Sequence, residues 1–212
     1  MTALTEYTRT SAGRRERKKA TTRAILAEKA IELCLQRGYS SVTVSDIADA
    51  AGVSRRTFSN YFANKAECLA SAAQSNSDVI IAESSGFTAY SEASSITAVQ
   101  RMLRGAPERF WIVCTELAEL MQDEPELEAY LRAGDLANVE RAIEPIAIEL
   151  GVSPENLTLR VAIGAIANCI HTCILHWVKH NRDGEIADLL TLITDHVALI
   201  DLSWLDQLRS RT

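Results

Sequence analysis

The stretch TVSDIADAAGVSRRTFSNYFANK, residues 43–65, constrains this chain more than any other. Its spacing predicts two short helices and a tight turn. The first helix covers about Val44–Ala50, the turn centres on Gly52, and the second helix covers about Ser54–Tyr61. Two helices that cross closely need a small residue at the contact, and Ala48 supplies it. The turn needs a residue that accepts positive φ, and glycine does so without steric cost. Phe58 anchors the second helix from below, and Ile47, Val53 and Phe62 complete a small core. Thr43 and Asp46 form a capping-box start signal, which Asn64 and Glu67 repeat for a further helix. The pattern is a helix-turn-helix.

Charge places this scaffold in a distinct part of the chain. The whole 212-residue protein has a net charge of −6, which alone does not suggest a nucleic-acid partner. Residues 1–65, however, carry 12 Lys+Arg against 6 Asp+Glu, and the remainder carries 10 against 22. A basic head on an acidic body is the distribution of a DNA-binding piece joined to a separate partner domain. Only four prolines and nine glycines, with 47% hydrophobic residues, point to long helices around a sizeable core. No strand pattern or internal repeat appears.

In chain order, residues 1–13 read as irregular and polar. The cluster Arg14, Arg15, Arg17, Lys18 and Lys19 follows. It reads equally as an arm touching phosphates or the minor groove, or as a solvated tail. An amphipathic helix is expected over Thr22–Gln36, with Leu26, Ala30, Leu33 and Cys34 inward and Gly38 as its stop. After the helix-turn-helix, helices are expected over about 65–83, 96–103, 108–122 and 125–150, with a loop at 84–95. Pro145 should kink or split the fourth of these. Ser153-Pro154-Glu155 reads as cap, first-turn proline and first-turn acid for a helix to about His180. A last helix is expected over about Glu185–Leu208.

The head resembles that of the TetR family of bacterial transcriptional repressors. The residues that carry the resemblance are Gly38-Tyr39, Thr43-Val44, Asp46-Ile47-Ala48, Ala51-Gly52-Val53-Ser54, Thr57-Phe58, Tyr61-Phe62 and Lys65. It covers roughly residues 22–70, and the body matches only in layout. The resemblance implies an all-α fold of about nine helices. A flexible basic arm (1–21) would precede a helix-turn-helix DNA-binding domain (22–66) and a helical ligand-binding and dimerisation body (67–212). It further implies a cytoplasmic homodimer on a pseudo-palindromic double-stranded DNA operator, with a small-molecule effector that moves the heads apart.

The second helix of the head carries Ser54, Arg55, Arg56, Thr57, Ser59, Asn60 and Tyr61 around Phe58. Arginine pairs bidentately with guanine and asparagine with adenine, so Arg55, Arg56 and Asn60 are candidate base readers. Family correspondence favours Arg55, Arg56 and Ser59 for base edges. It favours Thr43, Thr57, Tyr61 and Lys65 for phosphates, and gives Ser45 an occasional base contact. Ser59 stands where many members carry tyrosine.

Two body helices hold the other candidates. Phe110, Trp111, Cys114, Leu117 and Met121 sit near helical spacing on one, and Ile166, Cys169, Ile170, Cys173 and Trp177 on the other. They line an apolar ligand cavity or form a plain packed core. The charge-free run Val161–Val178 is near bilayer length, but Asn168, His171, Thr172 and His176 make it a buried soluble helix rather than a span. Its apolar surface, with Leu189, Leu192, Ile193, Val197 and Leu199 of the last helix, suits a four-helix dimer interface. Cys169, Cys173, His176 and His180 share metal-ligand spacing, yet one straight helix cannot close a tetrahedron with them, so no metal is expected. Five cysteines without scaffold spacing fit a reducing compartment. No cofactor loop or nucleophile elbow favours an enzyme on the Cys/His-rich helix. An activator, or an architectural DNA binder without ligand, is the alternative to a repressor.

Overall fold

The computed structural model describes the backbone of residues 3–84, 94–122, 124–181 and 183–204, with side chains described within 17–74 and from 94 onward. Among the described residues all regular structure is helical: α1 (Ala3–Arg37), a 3-10 turn (Tyr39–Ser41), α2 (Val44–Ala50), α3 (Arg55–Ser59), α4 (Lys65–Ser84), α5 (Ser95–Gly105), α6 (Glu108–Leu120), α7 (Pro125–Glu149), α8 (Leu157–His180) and α9 (Ile186–Val197). The chain divides into two compact units, Met1–Ala72 and Ala73–Thr212. Their boundary lies inside α4, later than the 66/67 boundary expected from sequence.

In the first unit, α1 starts at Ala3 rather than Thr22. Residues 3–37 contain no proline, and a single interior glycine, Gly13, costs only about 1 kcal/mol. Thr21 and Thr22 do not cap the helix: their hydroxyls donate to the Arg17 and Lys18 carbonyls at 2.9 and 3.0 Å, as mid-helix threonines do. Leu26, Ala30, Leu33 and Cys34 face inward as expected.

The capping box of α2 is complete. The Asp46 N–H donates to Thr43 Oγ1 at 3.2 Å, and Asp46 Oδ2 accepts from the Thr43 N–H at 2.8 Å. At the other end, Gly52 takes φ 67°. The Gly52 N–H then donates to Asp49 at 3.0 Å and the Val53 N–H to Ala48 at 2.9 Å, which is a Schellman stop. This stop turns the chain into α3. Ser54 caps α3 by accepting from the Thr57 N–H at 3.0 Å. The helix ends at Ser59, before Tyr61, because the Asn60 N–H closes onto the Arg56 and Thr57 carbonyls. Phe58 and Phe62 are buried with ring centroids 5.6 Å apart.

In the second unit, α6, α7 and α9 pack on α8, and α5 packs on α9. A polar clamp joins the last pair: Arg104 donates to Thr194 Oγ1, and Gln100 to the Thr194 carbonyl, each at 3.0 Å. Pro145 does not split α7. It lies about one turn from the helix end, so the lost backbone donor disturbs little that follows. The cap of α8 is Asn156, not Ser153; its side chain accepts from the Leu159 N–H at 3.0 Å. Ser153 and Pro154 instead form the preceding turn, where the Asn156 N–H donates to the Ser153 carbonyl at 2.9 Å. α9 stops at Val197, where the following amides turn back onto the His196 and Val197 carbonyls. The expected continuation over 205–208 lies outside the described residues, as does most of the expected 84–95 loop.

Length and composition alone would let α8 cross a bilayer. One face is instead covered by α6, α7 and α9, while Val161, Asn168, Thr172 and His176 on the other are exposed. The sequence expects one face of this helix to pack on the chain's own body and leaves the other for a partner chain, and the packing on α6, α7 and α9 is the first of these.

Candidate nucleic-acid interface and body cavity

Burial of Phe58 fixes which side of α3 looks outward. Ser54, Arg55, Arg56, Ser59 and Asn60 are exposed, and Thr57 and Tyr61 are half-buried at the flanks. Thr43 and Ser45, at the start of α2, are exposed as well. The expected donors on α2, on α3 and in their caps thus all keep some exposure. Several already have internal work. Ser54 and Thr57 share a hydroxyl contact at 2.9 Å within the α3 cap, and Thr43 is held in the α2 cap.

Lys65 is half-buried rather than free. Its ammonium donates to the Tyr39 carbonyl and, at 2.7 Å, to the Val42 carbonyl, and lies 3.8 Å from the centroid of the Tyr39 ring. Two of its three donors therefore bind the segment leading into α2, which leaves one for an outside acceptor. Arg23 plays a similar part from α1. It donates to the Tyr61 carbonyl at 3.0 Å and stands 4.3 Å from the Phe62 ring centroid. The sequence reading did not single out Arg23, although an arginine one turn before the inward face of α1 was a visible signal. In the basic cluster, Arg17, Lys18 and Lys19 are exposed, and the side chains of Arg14 and Arg15 lie outside the described residues.

The body contains a cavity of about 550 Å³. Phe110, Trp111, Cys114, Leu117 and Met121 of the α6 segment reach its wall, as do Ile166 and Ile170 of α8. Cys173 and Trp177 do not line it. Both are buried elsewhere in the core, because their turn of α8 faces α9 and the chain before it. There Trp177 packs so tightly on Gly184 that a Cβ at that glycine would stand 2.4 Å from the ring. The sequence reading missed the α7 wall, including Arg132, Asp135 and Asn138, and missed His171 of α8. These polar residues carried no helical stripe that separates a cavity wall from a solvated face.

His171 Nδ1 lies 3.0 Å from Asp135 Oδ2. Its Nε2 is buried with no hydrogen-bond partner among the described residues, and the same holds for Nε1 of fully buried Trp111. Arg132 is the single Lys or Arg among the described lining residues, and it stands 3.7 Å from Glu128. Burial pushes the Cys114 thiol up to about 12, so the wall carries no ready thiolate nucleophile. Burial likewise pushes Cys173 up to about 11. Among the described residues no three His, Cys, Asp or Glu side chains gather around a possible metal. The rings of His176 and His180 lie against each other at a tilt of 42°, 4.5 Å between centroids.

The fold and these two sites define a class: a helix-turn-helix head followed by a larger helical body that forms a largely apolar cavity. Residues 26–72 match the model of the family described as bacterial regulatory proteins, tetR family. A 66-residue stretch is 44% identical to the HTH-type transcriptional regulator TcmR of Streptomyces glaucescens, covering 31% of this chain and 29% of that protein. A 49-residue stretch is 45% identical to the putative mycofactocin biosynthesis transcriptional regulator MftR of Mycobacterium tuberculosis, covering 23% and 25%. The matched stretches thus span less than a third of either relative. Among solved structures, the fold is similar to FadR of Thermus thermophilus, a TetR-family transcriptional repressor in complex with lauroyl-CoA (TM-score 0.57, 22% identity, 84% of this chain and 92% of that one). It is also similar to a tetR-family regulator from Streptomyces coelicolor (TM-score 0.55, 21% identity, 91% and 88%).

Proposed function

We propose that this chain is a cytoplasmic, ligand-responsive transcriptional repressor that binds a pseudo-palindromic operator as a homodimer and releases it when a small, largely apolar effector enters the body. The observation that carries the reading is the outward face of α3, where Arg55, Arg56, Ser59 and Asn60 are exposed on a helix whose opposite side is pinned by Phe58. Arg55 and Arg56 read bases, supported by Ser59 and Asn60. Thr43, Ser54, Thr57, Tyr61 and Lys65 contact the backbone or set the register, and Ser45 makes an occasional base contact.

The exposed side of α8, with Val161 at 61% exposure and Leu157 at 73%, together with Leu199 beyond α9, is the surface for a second copy. The FadR structure with lauroyl-CoA gives a precedent for a small-molecule partner in this fold. The apolar cavity supports the same role here.

A gel-shift assay on DNA upstream of the gene tests the reading directly. Arg55→Ala and Arg56→Ala each lose about 1–3 kcal/mol of discrimination between operator and unrelated DNA. Lys65→Ala weakens binding to both kinds of DNA, by loss of a phosphate donor and of its hold on Tyr39 and Val42. Operator binding undiminished in both arginine variants would refute the assignment. Light scattering checks the dimer, and a stable monomer at micromolar concentration would remove it.

A further inference from the structure

α3 is five residues long, Arg55–Ser59, and a helix of that length does not hold its shape alone in water. Its entry is fixed by the Ser54 cap. Its exit is fixed by a different device. The Tyr61 and Phe62 N–H groups both close onto the Phe58 carbonyl, at 2.8 and 3.0 Å. The carbonyl of Tyr61 then accepts from Arg23 of α1 at 3.0 Å. The same guanidinium stands 4.3 Å from the centroid of the Phe62 ring, and buried Phe62 packs in turn on buried Phe58. One planar cation thus meets the chain leaving α3 twice, through a hydrogen bond and through a ring face. Arg23 is half-buried, and holding it there costs hydration and rotamer freedom that these contacts offset.

The exit and the base-reading side chains move together. Asn60 directly precedes Tyr61, and the Asn60 N–H closes onto the Arg56 carbonyl at 3.2 Å. A shift of about 1 Å at this end takes a side-chain hydrogen bond to a base out of range. We propose that Arg23 is a specificity-determining positioning residue for DNA binding: by holding the Tyr61 carbonyl and the Phe62 ring, it sets where the end of α3 stands on the duplex. The proposal rests on the reading of α3 as the base reader, and Arg23 acts through α3 rather than by touching DNA. Lys65 is its counterpart at the other end of the unit, where its ammonium holds the Tyr39 and Val42 carbonyls ahead of α2.

Two duplexes of equal length test this with the full-length protein, one that the parent enriches from a random pool and one with the same bases scrambled. The quantity read is the ratio of the two affinities. A variant that is partly unfolded loses affinity for both duplexes by the same factor, so its ratio does not move. A lost phosphate contact also weakens both alike, and it lowers the slope of log affinity against log salt by about one per subunit. Arg23→Gln should lower the ratio about tenfold, within the range of one lost base contact, and leave the salt slope unchanged. Arg23→Lys keeps the charge and a donor for the carbonyl but has no flat face for Phe62, so it should recover no more than part of the ratio. A parent-like ratio in Arg23→Gln overturns the proposal whatever the stability of that variant, and so does full recovery in Arg23→Lys or a fall in the salt slope. Arg55→Ala is the control. If it too keeps the parent ratio, the reading of α3 falls; if it loses the ratio while Arg23→Gln keeps it, the role of Arg23 falls alone.

Discussion

In the head, Thr43, Asp46, Ser54, Asn64 and Lys65 each have a partner within the same unit. In the body, Trp111 Nε1, Glu116 Oε2 and His171 Nε2 are buried with none among the described residues. The head meets its polar groups with caps and turns, so two short helices of a few turns hold one shape. Isolated helices of that length would be marginal in water, and packing on α1 with complete caps supplies what they lack. The body instead relies on long apolar helices, which stay helical regardless of detail and leave room between them. The difference teaches where specificity lies. In the head it is in backbone geometry, and in the body it is in what the packing leaves unfilled.

The largest effect that would break this contrast is in the head. Phe58→Ala removes the single fully buried aromatic of α3 and should cost about 3–5 kcal/mol, measured by chemical denaturation. Hydrogen exchange should show the loss in α2 and α3 first. A cost below about 1 kcal/mol would mean that the caps, not the core, hold the head. The matching change in the body is Gly184→Ala. Its new methyl group meets the Trp177 ring at 2.4 Å, and overpacking of this kind costs about 1–3 kcal/mol. Protection should fall along α8 and α9 while the α2 amides are unchanged. Thr43→Ala should cost about 1 kcal/mol, read as faster exchange at the start of α2 and not in the body.

The same contrast explains what could be read from sequence. Gly52, Ala48 and the Thr43–Asp46 pair belong to rules with few solutions, so the helix-turn-helix and its inward side were legible residue by residue. The start of α1 was not, because a polar, charged segment without proline reads alike as tail or as helix. Ser153 reads from sequence as the cap of α8, but its hydroxyl accepts from the Glu155 N–H in the preceding turn, and Asn156 caps the helix instead. The cavity was half legible. Apolar spacing on α6 and α8 named residues that face inward, but it could not tell Ile170, on the cavity wall, from Cys173, in the core beside it. Asp135 and His171 meet only through the packing of α7 on α8, which no periodicity in either helix announces.

The smallest effect sharpens the comparison through acid. The Thr43 hydroxyl and N–H, at 2.5 and 2.8 Å, hold the Asp46 carboxyl below its ordinary value of 3.8. A depressed folded-state pKa means that this carboxylate stabilises the head fully above the ordinary value, and that the contribution is lost as pH falls below it. The body has a counterpart in Asp201, held down by Ser203. Acid alone therefore perturbs both units, and only a variant separates them. Asp46→Asn keeps the size of the side chain but has no carboxylate to titrate. The stability difference between parent and variant should be larger at about pH 6 than at about pH 3, with the change confined to α2 amides. A difference that stays constant across that range would show that Asp46 acts in the cap by shape and not by charge. The capped head would then owe no more to electrostatics than the apolar body does.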